Sequence, residues 1–270
     1  MAERIDWPTV LAEAKAIVES YTTGVTLRQL FYRLVANQTL VNTSSAYKSL
    51  SSRTAQARRD DVFPDLIDRG RSIHRYGHFD GTAEAIDYLV RVYRRDRTEG
   101  QDVSIYVGVE KAGLVMQLQS WFGALGIPIL ALGGYSSQTY VKEVVRDVEA
   151  QDRPAVLLYA GDFDPSGEDI DRDFTARTDC FAKVVRVALN AEQVTEYDLP
   201  PAMGKATDSR ASRFVERHGT LVQVELDAVP PEVLQQLYGD AIADYWDEST
   251  YDAVVSLEAA ERAELRAALL

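Results

Sequence analysis

The sequence predicts an α/β protein, in which a helical N-terminal part precedes a doubly wound parallel sheet with a helical C-terminal extension. Three observations lead there. Three short amphipathic segments open the chain. From residue 103, runs that are apolar throughout alternate with stretches of helical period, the pattern of parallel strands covered on both faces. After Leu189 come proline-marked loops (Pro200-Pro201, Pro230-Pro231) and two or three closing helices.

Residues 8–20 read as an amphipathic helix, with Asp6 and Pro8 near its start and Thr22-Thr23-Gly24 ending it. The next helix runs to about Ala36 and opens with Thr26-Leu27-Arg28-Gln29, the spacing of a capping box. A third spans 44–59, after the turn-like Asn42-Thr43. Three such helices, the last rich in Arg, Ser and Thr, resemble a helix-turn-helix or winged-helix DNA-binding module. Residues 61–79 read as irregular and 83–97 as helical. The polar stretch 98–102 is the expected boundary, dividing the chain into residues 1–99 and 100–270. Strands are then expected at 103–109, 128–132, 155–160 and 183–189, with helices at 112–125, 138–150 and 167–178 between them.

With 46% hydrophobic and 26% charged residues among 270, the composition is that of a soluble globular protein. No apolar run approaches the length of a membrane span, and the N-terminus lacks a signal-peptide pattern. Cys180 is the only cysteine, which excludes an intramolecular disulfide and fits a cytoplasmic protein. The net charge of −13 is unevenly placed. Residues 1–97 hold 15 Lys+Arg against 12 Asp+Glu (+3), and the remainder 14 against 30 (−16). Within 28–75, nine basic residues (Arg28, Arg33, Lys48, Arg53, Arg58, Arg59, Arg69, Arg71, Arg75) face four acidic ones. A basic module on an acidic body suggests one part that holds a polyanion and another that holds cations; the competing reading is a solvated basic face without a ligand.

Two acidic sites stand where strands end: Glu110 after residues 103–109, and Asp162 and Asp164 in Gly161-Asp162-Phe163-Asp164-Pro165-Ser166-Gly167 after 155–160. Ligands of open parallel sheets bind beyond the carboxyl ends of the strands, where strand order reverses. If the first and third strands are neighbours, the three carboxylates converge there. Such a set suits a hard cation, Mg²⁺ or Mn²⁺, that takes its other ligands from water and phosphate. Without a cation, crowded carboxylates raise one another's pKa. The competing reading has the aspartates merely cap the helix near Gly167, since Asp-Pro-Ser-Gly is good turn chemistry.

Val109-Glu110-Lys111-Ala112-Gly113 and the Gly161–Gly167 segment resemble the two motifs of the Toprim domain. The Asp-Pro-x-Gly ending is most similar to the A subunit of topoisomerase VI and its meiotic double-strand-break relatives. Gly133-Gly134-Tyr135, Glu196-Tyr197-Asp198-Leu199-Pro200, and Lys205 with Thr207-Asp208 agree with that family, and the resemblance covers about residues 25–215. It implies a Mg²⁺ site of Glu110, Asp162 and Asp164, with Lys111 near a substrate phosphate.

In the helix 26–36, Leu27, Leu30, Phe31, Leu34 and Val35 form one apolar stripe, and Tyr32 lies off it, four residues after Arg28 and next to Arg33. Arginine beside it would favour phenolate and bind phosphate oxygens. The competing reading makes Phe31-Tyr32 a core aromatic pair. Leu27-Arg28-Gln29-Leu30-Phe31-Tyr32 resembles the catalytic helix of the topoisomerase VI A subunit, which implies Tyr32 as nucleophile and Arg28 as phosphate contact. Gln29 departs from the acidic residue usual there.

The expected function is therefore Mg²⁺-dependent DNA cleavage by tyrosine transesterification. The expected catalytic residues are Tyr32, Arg28 and Glu110, and the expected DNA contacts are Arg33, Lys48, Arg53, Arg58, Arg59 and Lys111. Cutting two strands needs two tyrosines, hence a two-fold dimer. Nothing in the chain resembles the ATPase subunit of topoisomerase VI, so it would act alone or with a separately encoded ATPase. Two rivals stand beside this reading: a hydrolytic Toprim nuclease of plasmid- or phage-defence type, with Tyr32 a bystander, and a non-enzymatic DNA-binding subunit.

Overall fold

The computed structural model describes residues 5–21, 24–67, 76–203 and 208–269. Arg69, Arg71, His74, Arg75, Lys205 and Thr207 lie outside the described residues. The protein is a mixed α/β structure built on a four-stranded parallel sheet.

Helices α1 (Trp7–Ser20), α2 (Leu27–Ala36) and α3 (Ser44–Arg59) pack around one apolar core that includes Val10, Ala14, Leu30, Leu34 and Leu50. The capping box at the head of α2 is complete: Thr26 accepts from the Gln29 amide while the Gln29 side chain accepts from the Thr26 amide. Thr43 caps α3 in the same way, accepting from the amide of Ala46. Each cap satisfies backbone donors that would otherwise lack a partner, which fixes where the helix begins.

The sheet follows, from β1 (Ser104–Val109), β2 (Ile129–Ala131), β3 (Ala155–Ala160) and β4 (Lys183–Ala188), in the order β2-β1-β3-β4. Both central strands are buried along all six residues. Their two faces serve different cores. Ile105, Val107, Val109, Val156 and Leu158 pack with α5 (Val115–Phe122) and α10 (Pro231–Ala243). Tyr106, Leu157 and Tyr159 pack with α6 (Gln138–Ala150) and α7 (Pro165–Thr178). Apolar residues on both sides of the pleat are what a strand sandwiched between helices requires.

One expectation needs correction. The helix read over 83–97 stops early: α4 spans Thr82–Val92. Residues 93–97 leave the helix because the buried carboxylate of Glu258 captures them. Glu258 sits in α11 (Glu248–Leu269), accepts from the Arg95 amide at 3.1 Å and pairs with Arg97 at 2.7 Å. The stretch 98–102 is held by the segment before β3 and by the residue leading into α11. Arg153 donates to the carbonyl of Gln101 and the hydroxyls of Thr98 and Ser104, and Gln101 donates to the carbonyl of Asp247. The chain beyond β4 adds α8 (Ala191–Glu196), α9 (Ala211–His218) and a small antiparallel pair, β5 (Ala202–Met203) with β6 (Val222–Gln223). Among the described residues, no helix is long and apolar enough to cross a membrane.

Glu258 is 1% exposed, and its hydrogen bond from Arg97, aided by the Arg95 amide, holds its carboxyl down to about 2. Removing one partner of such a buried ion pair costs about 3–5 kcal/mol, so Glu258→Ala should lower the urea midpoint steeply. A depressed pKa stabilises above the unfolded value, so the contribution of Glu258 is full above about pH 4.5 and is lost as pH falls toward 2. Urea titrations of wild type and Glu258→Ala should therefore converge toward pH 2.

Candidate active site

The parallel register pairs Val109 with Ala160, and the ladder continues one step further, with the Glu110 amide donating to the Ala160 carbonyl at 2.9 Å. The order β2-β1-β3-β4 places the reversal between β1 and β3, so Glu110 and Asp162 emerge side by side at the switch point. The Glu110 carboxylate accepts from the Asp162 amide at 2.8 Å. Arg186 on β4 steadies the turn, donating to the Asp162 carbonyl at 2.7 Å and pairing with Asp171 at 2.9 Å. Gly167 allows α7 to start close by, since a Cβ there would run into the Asp162 carbonyl and stand 3.2 Å from Glu110 Oε2.

Asp164 behaves as the capping alternative foresaw. Its carboxylate accepts from the Gly167 amide at 2.6 Å and from Ser166 Oγ at 2.9 Å at the head of α7. Asp162 does not cap. It is 6% exposed, accepts from the Leu226 amide at 2.8 Å and is ion-paired with Lys111. Asp162 and Asp164 share no hydrogen-bond donor in this arrangement, although Asp164 is near enough to raise the pKa of Glu110. Among the described residues, no three His, Cys, Asp or Glu side chains already converge as they would around one ion.

The sequence reading passed over a second acidic segment. Val224 pairs with Phe163 in an isolated antiparallel bridge, with N···O distances of 2.9 and 3.0 Å. That bridge lays Glu225, and the single turn Leu226–Ala228 after it, against the end of β3. Glu225 then joins everything. It pairs with Lys111 at 2.6 Å and with Arg28 at 3.5 Å, and it accepts from the Tyr32 hydroxyl at 3.1 Å. Asp227 is 7% exposed, and its buried Oδ1 has no hydrogen-bond partner among the described residues. The available signal was two carboxylates alternating with Val224, Leu226 and Ala228, all buried, just ahead of Pro230-Pro231.

The electrostatics follow from this crowding. Burial, with the charge of Glu110 added, drives Asp162 well above the usual carboxylate range despite Lys111. Burial also raises Glu110, against the Asp162 amide and Lys111, and takes Asp227 up to about 6. Glu225 goes the other way: burial would raise it, but the charge and hydrogen bond of Lys111, with Arg28, hold it low. Burial would lower the Lys111 ammonium, yet Asp162 and Glu225 keep it above the ordinary lysine range. The carboxylates here outnumber the cations Lys111 and Arg28, a surplus of negative charge that a divalent cation would offset. With an orphaned carboxylate oxygen present, this all-oxygen donor set fits a hard cation.

Tyr32 is half-buried, with its ring edge-on to Phe31 and Arg28 Cζ 5.5 Å from its centroid. The expectation that arginine favours phenolate needs correction. Burial, then the charge of Glu225, takes the phenol up to about 12, and Arg28 only partly opposes them. Of the expected DNA contacts, Arg33 points inward, donating to the Ala228 carbonyl at 3.2 Å and so helping α2 dock on the Leu226–Ala228 turn. Lys111 is held by its carboxylates. Lys48, Arg53 and Arg59 are exposed on α3, with Arg53 over the Trp7 ring at 4.6 Å, and Arg58 is half-buried. His78 is exposed. The chain matches no known family model and no curated protein.

Asp227 offers a direct check on these electrostatics. A carboxyl raised from 3.8 to about 6 burdens the fold only once it ionises, so its cost appears as pH rises through that window. Asp227→Asn should leave stability unchanged below about pH 4 and raise it by roughly 1–3 kcal/mol at pH 8, by urea denaturation. An equal shift at both pH values would contradict this placement.

Proposed function

We propose that the chain is a Toprim-type enzyme that breaks DNA, with Tyr32 as nucleophile and a Mg²⁺ or Mn²⁺ site on Glu110 and Asp162, completed by Asp164 or Asp227. The observation that carries the reading is a single chain of contacts. From Tyr32 it runs through Glu225 and Lys111 to Asp162, joining a tyrosine on the basic helical part to carboxylates at the sheet's switch point.

The chemistry is a transesterification. The Tyr32 oxygen bonds to a backbone phosphorus, the bond to one deoxyribose oxygen breaks, and that oxygen leaves as a hydroxyl by taking a proton from water. Arg28 binds the phosphate oxygens. Lys111, drawn to the same phosphate, releases Glu225, which then takes the phenol proton as the new bond forms. A bound divalent cation would stabilise charge developing on the phosphate and the leaving oxygen. The protein–DNA ester keeps the break reversible. Lys48, Arg53, Arg58 and Arg59 on α3 would hold the duplex backbone, and a two-fold dimer would supply the second tyrosine. A separate ATPase would be needed only for strand passage.

One observation favours the hydrolytic rival: the half-buried Tyr32 hydroxyl is held by Glu225, and water could attack instead. Supercoiled plasmid with Mg²⁺ or Mn²⁺, denatured with and without protease, separates the two. Transesterification leaves DNA ends that carry protein until digestion, and Tyr32→Phe abolishes cleavage while keeping DNA affinity. Hydrolysis leaves free ends, and Tyr32→Phe cuts at the wild-type rate. Asp162→Ala should abolish cleavage in either case without unfolding the protein.

A further inference from the structure

Arg28 lines two cavities. One, of about 290 Å³, also touches Glu110, Lys111 and Asp227. The other, of about 400 Å³, is lined by Phe31, Tyr32 and Tyr47 together with Asn42, Ser44 and Lys48. The first belongs to the carboxylate site. The second meets the proposed reaction only at Tyr32 and Arg28 and at Lys48, one of the proposed backbone contacts.

We infer that the 400 Å³ cavity receives one unpaired nucleotide of the DNA, with its base against the aromatic wall and its phosphate between Arg28 and Lys48. The inference rests on DNA being the substrate and names the form of DNA preferred.

Three features support it. The wall is preformed: Phe31 is buried, and it holds Tyr47 edge-on at 5.2 Å and Tyr32 at 5.6 Å, so the rings are ordered before anything binds. Aromatic surface of this kind receives the face of a base, which a paired and stacked base cannot offer. The polar groups are unspent, since the side chains of Asn42 and Lys48 have no hydrogen bond or ion pair among the described residues. The volume lies at the lower end for small-ligand sites, enough for one nucleotide and not for a duplex. The groove between α7 and α9 is a weaker candidate for a phosphate, because Arg172, Arg210 and Arg217 there are already paired with Asp169, Asp208 and Glu168. Because Arg28 borders both cavities, a phosphate on it would have the carboxylates on one side and the held base on the other.

The test uses the full-length protein and duplexes carrying one unpaired 5-iododeoxyuridine, placed at successive positions in a series of probes. Ultraviolet irradiation followed by peptide mapping should join the base to the segment carrying Tyr47 at one position only. Tyr47→Ala should weaken binding of the unpaired probe about 5- to 100-fold and leave the fully paired duplex unchanged. Tyr47→Phe, which keeps the ring and its packing on Phe31, should restore binding, and Lys48→Glu should weaken it. Crosslinks only to other segments, crosslinks to Tyr47 at every position alike, or unchanged binding by Tyr47→Ala would each overturn the inference while leaving DNA as the substrate. A wild-type protein that binds neither probe would overturn the DNA reading itself.

Discussion

Six consecutive residue pairs between β1 and β3, from Ser104 with Ala155 to Val109 with Ala160, decide where the rest of this molecule can go. Side-by-side parallel strands must end at the same edge, so Glu110 and Asp162 are delivered together however the loops are drawn. Between them lies the reversal of strand order, the place in an open sheet where no helix covers the edge. The cost of that delivery is charge. A carboxylate at 6% exposure beside another carboxylate needs compensation, and Lys111, next in sequence after Glu110, is close enough to provide it.

The same charges tie the helical part to the sheet. Helix α2 rests on the Leu226–Ala228 turn through Arg28, Tyr32 and Arg33, and that turn gives its Leu226 amide to Asp162. Its docking contacts and the candidate site are therefore largely the same residues. A ligand that draws Lys111 or Arg28 away from Glu225 leaves that carboxylate a stronger base toward the Tyr32 phenol. In the arrangement described, the Tyr32 hydroxyl donates to Glu225, and burial with that carboxylate raises the phenol above its ordinary pKa.

The parts legible in the sequence were those governed by local rules. Thr26 and Gln29 declared the start of α2, and Gln138 and Ala150 bounded α6 through a single amphipathic stretch. Nearly unbroken apolar runs marked β1 and β3 because both faces are buried; the one polar exception, Ser104, has its hydroxyl bonded by Arg153. What stayed hidden depends on distant partners. Residues 93–97 have helical composition but are claimed by Glu258, more than 160 residues away. Glu225 looks like an ordinary loop residue until the Phe163–Val224 bridge places it against β3. The phenol of Tyr32 was misjudged for the same reason: the neighbouring arginines are visible in the helix, whereas the carboxylate that outweighs them comes from another part of the chain.

The most direct test of the account is anomalous diffraction from crystals soaked in Mn²⁺, read at the carboxylate cluster. The account predicts manganese bound by Glu110 and Asp162, with the Lys111 ammonium moved off Asp162. Crystals saturated with Mn²⁺ that show no anomalous density at these carboxylates, and Lys111 still paired with Asp162, would contradict it.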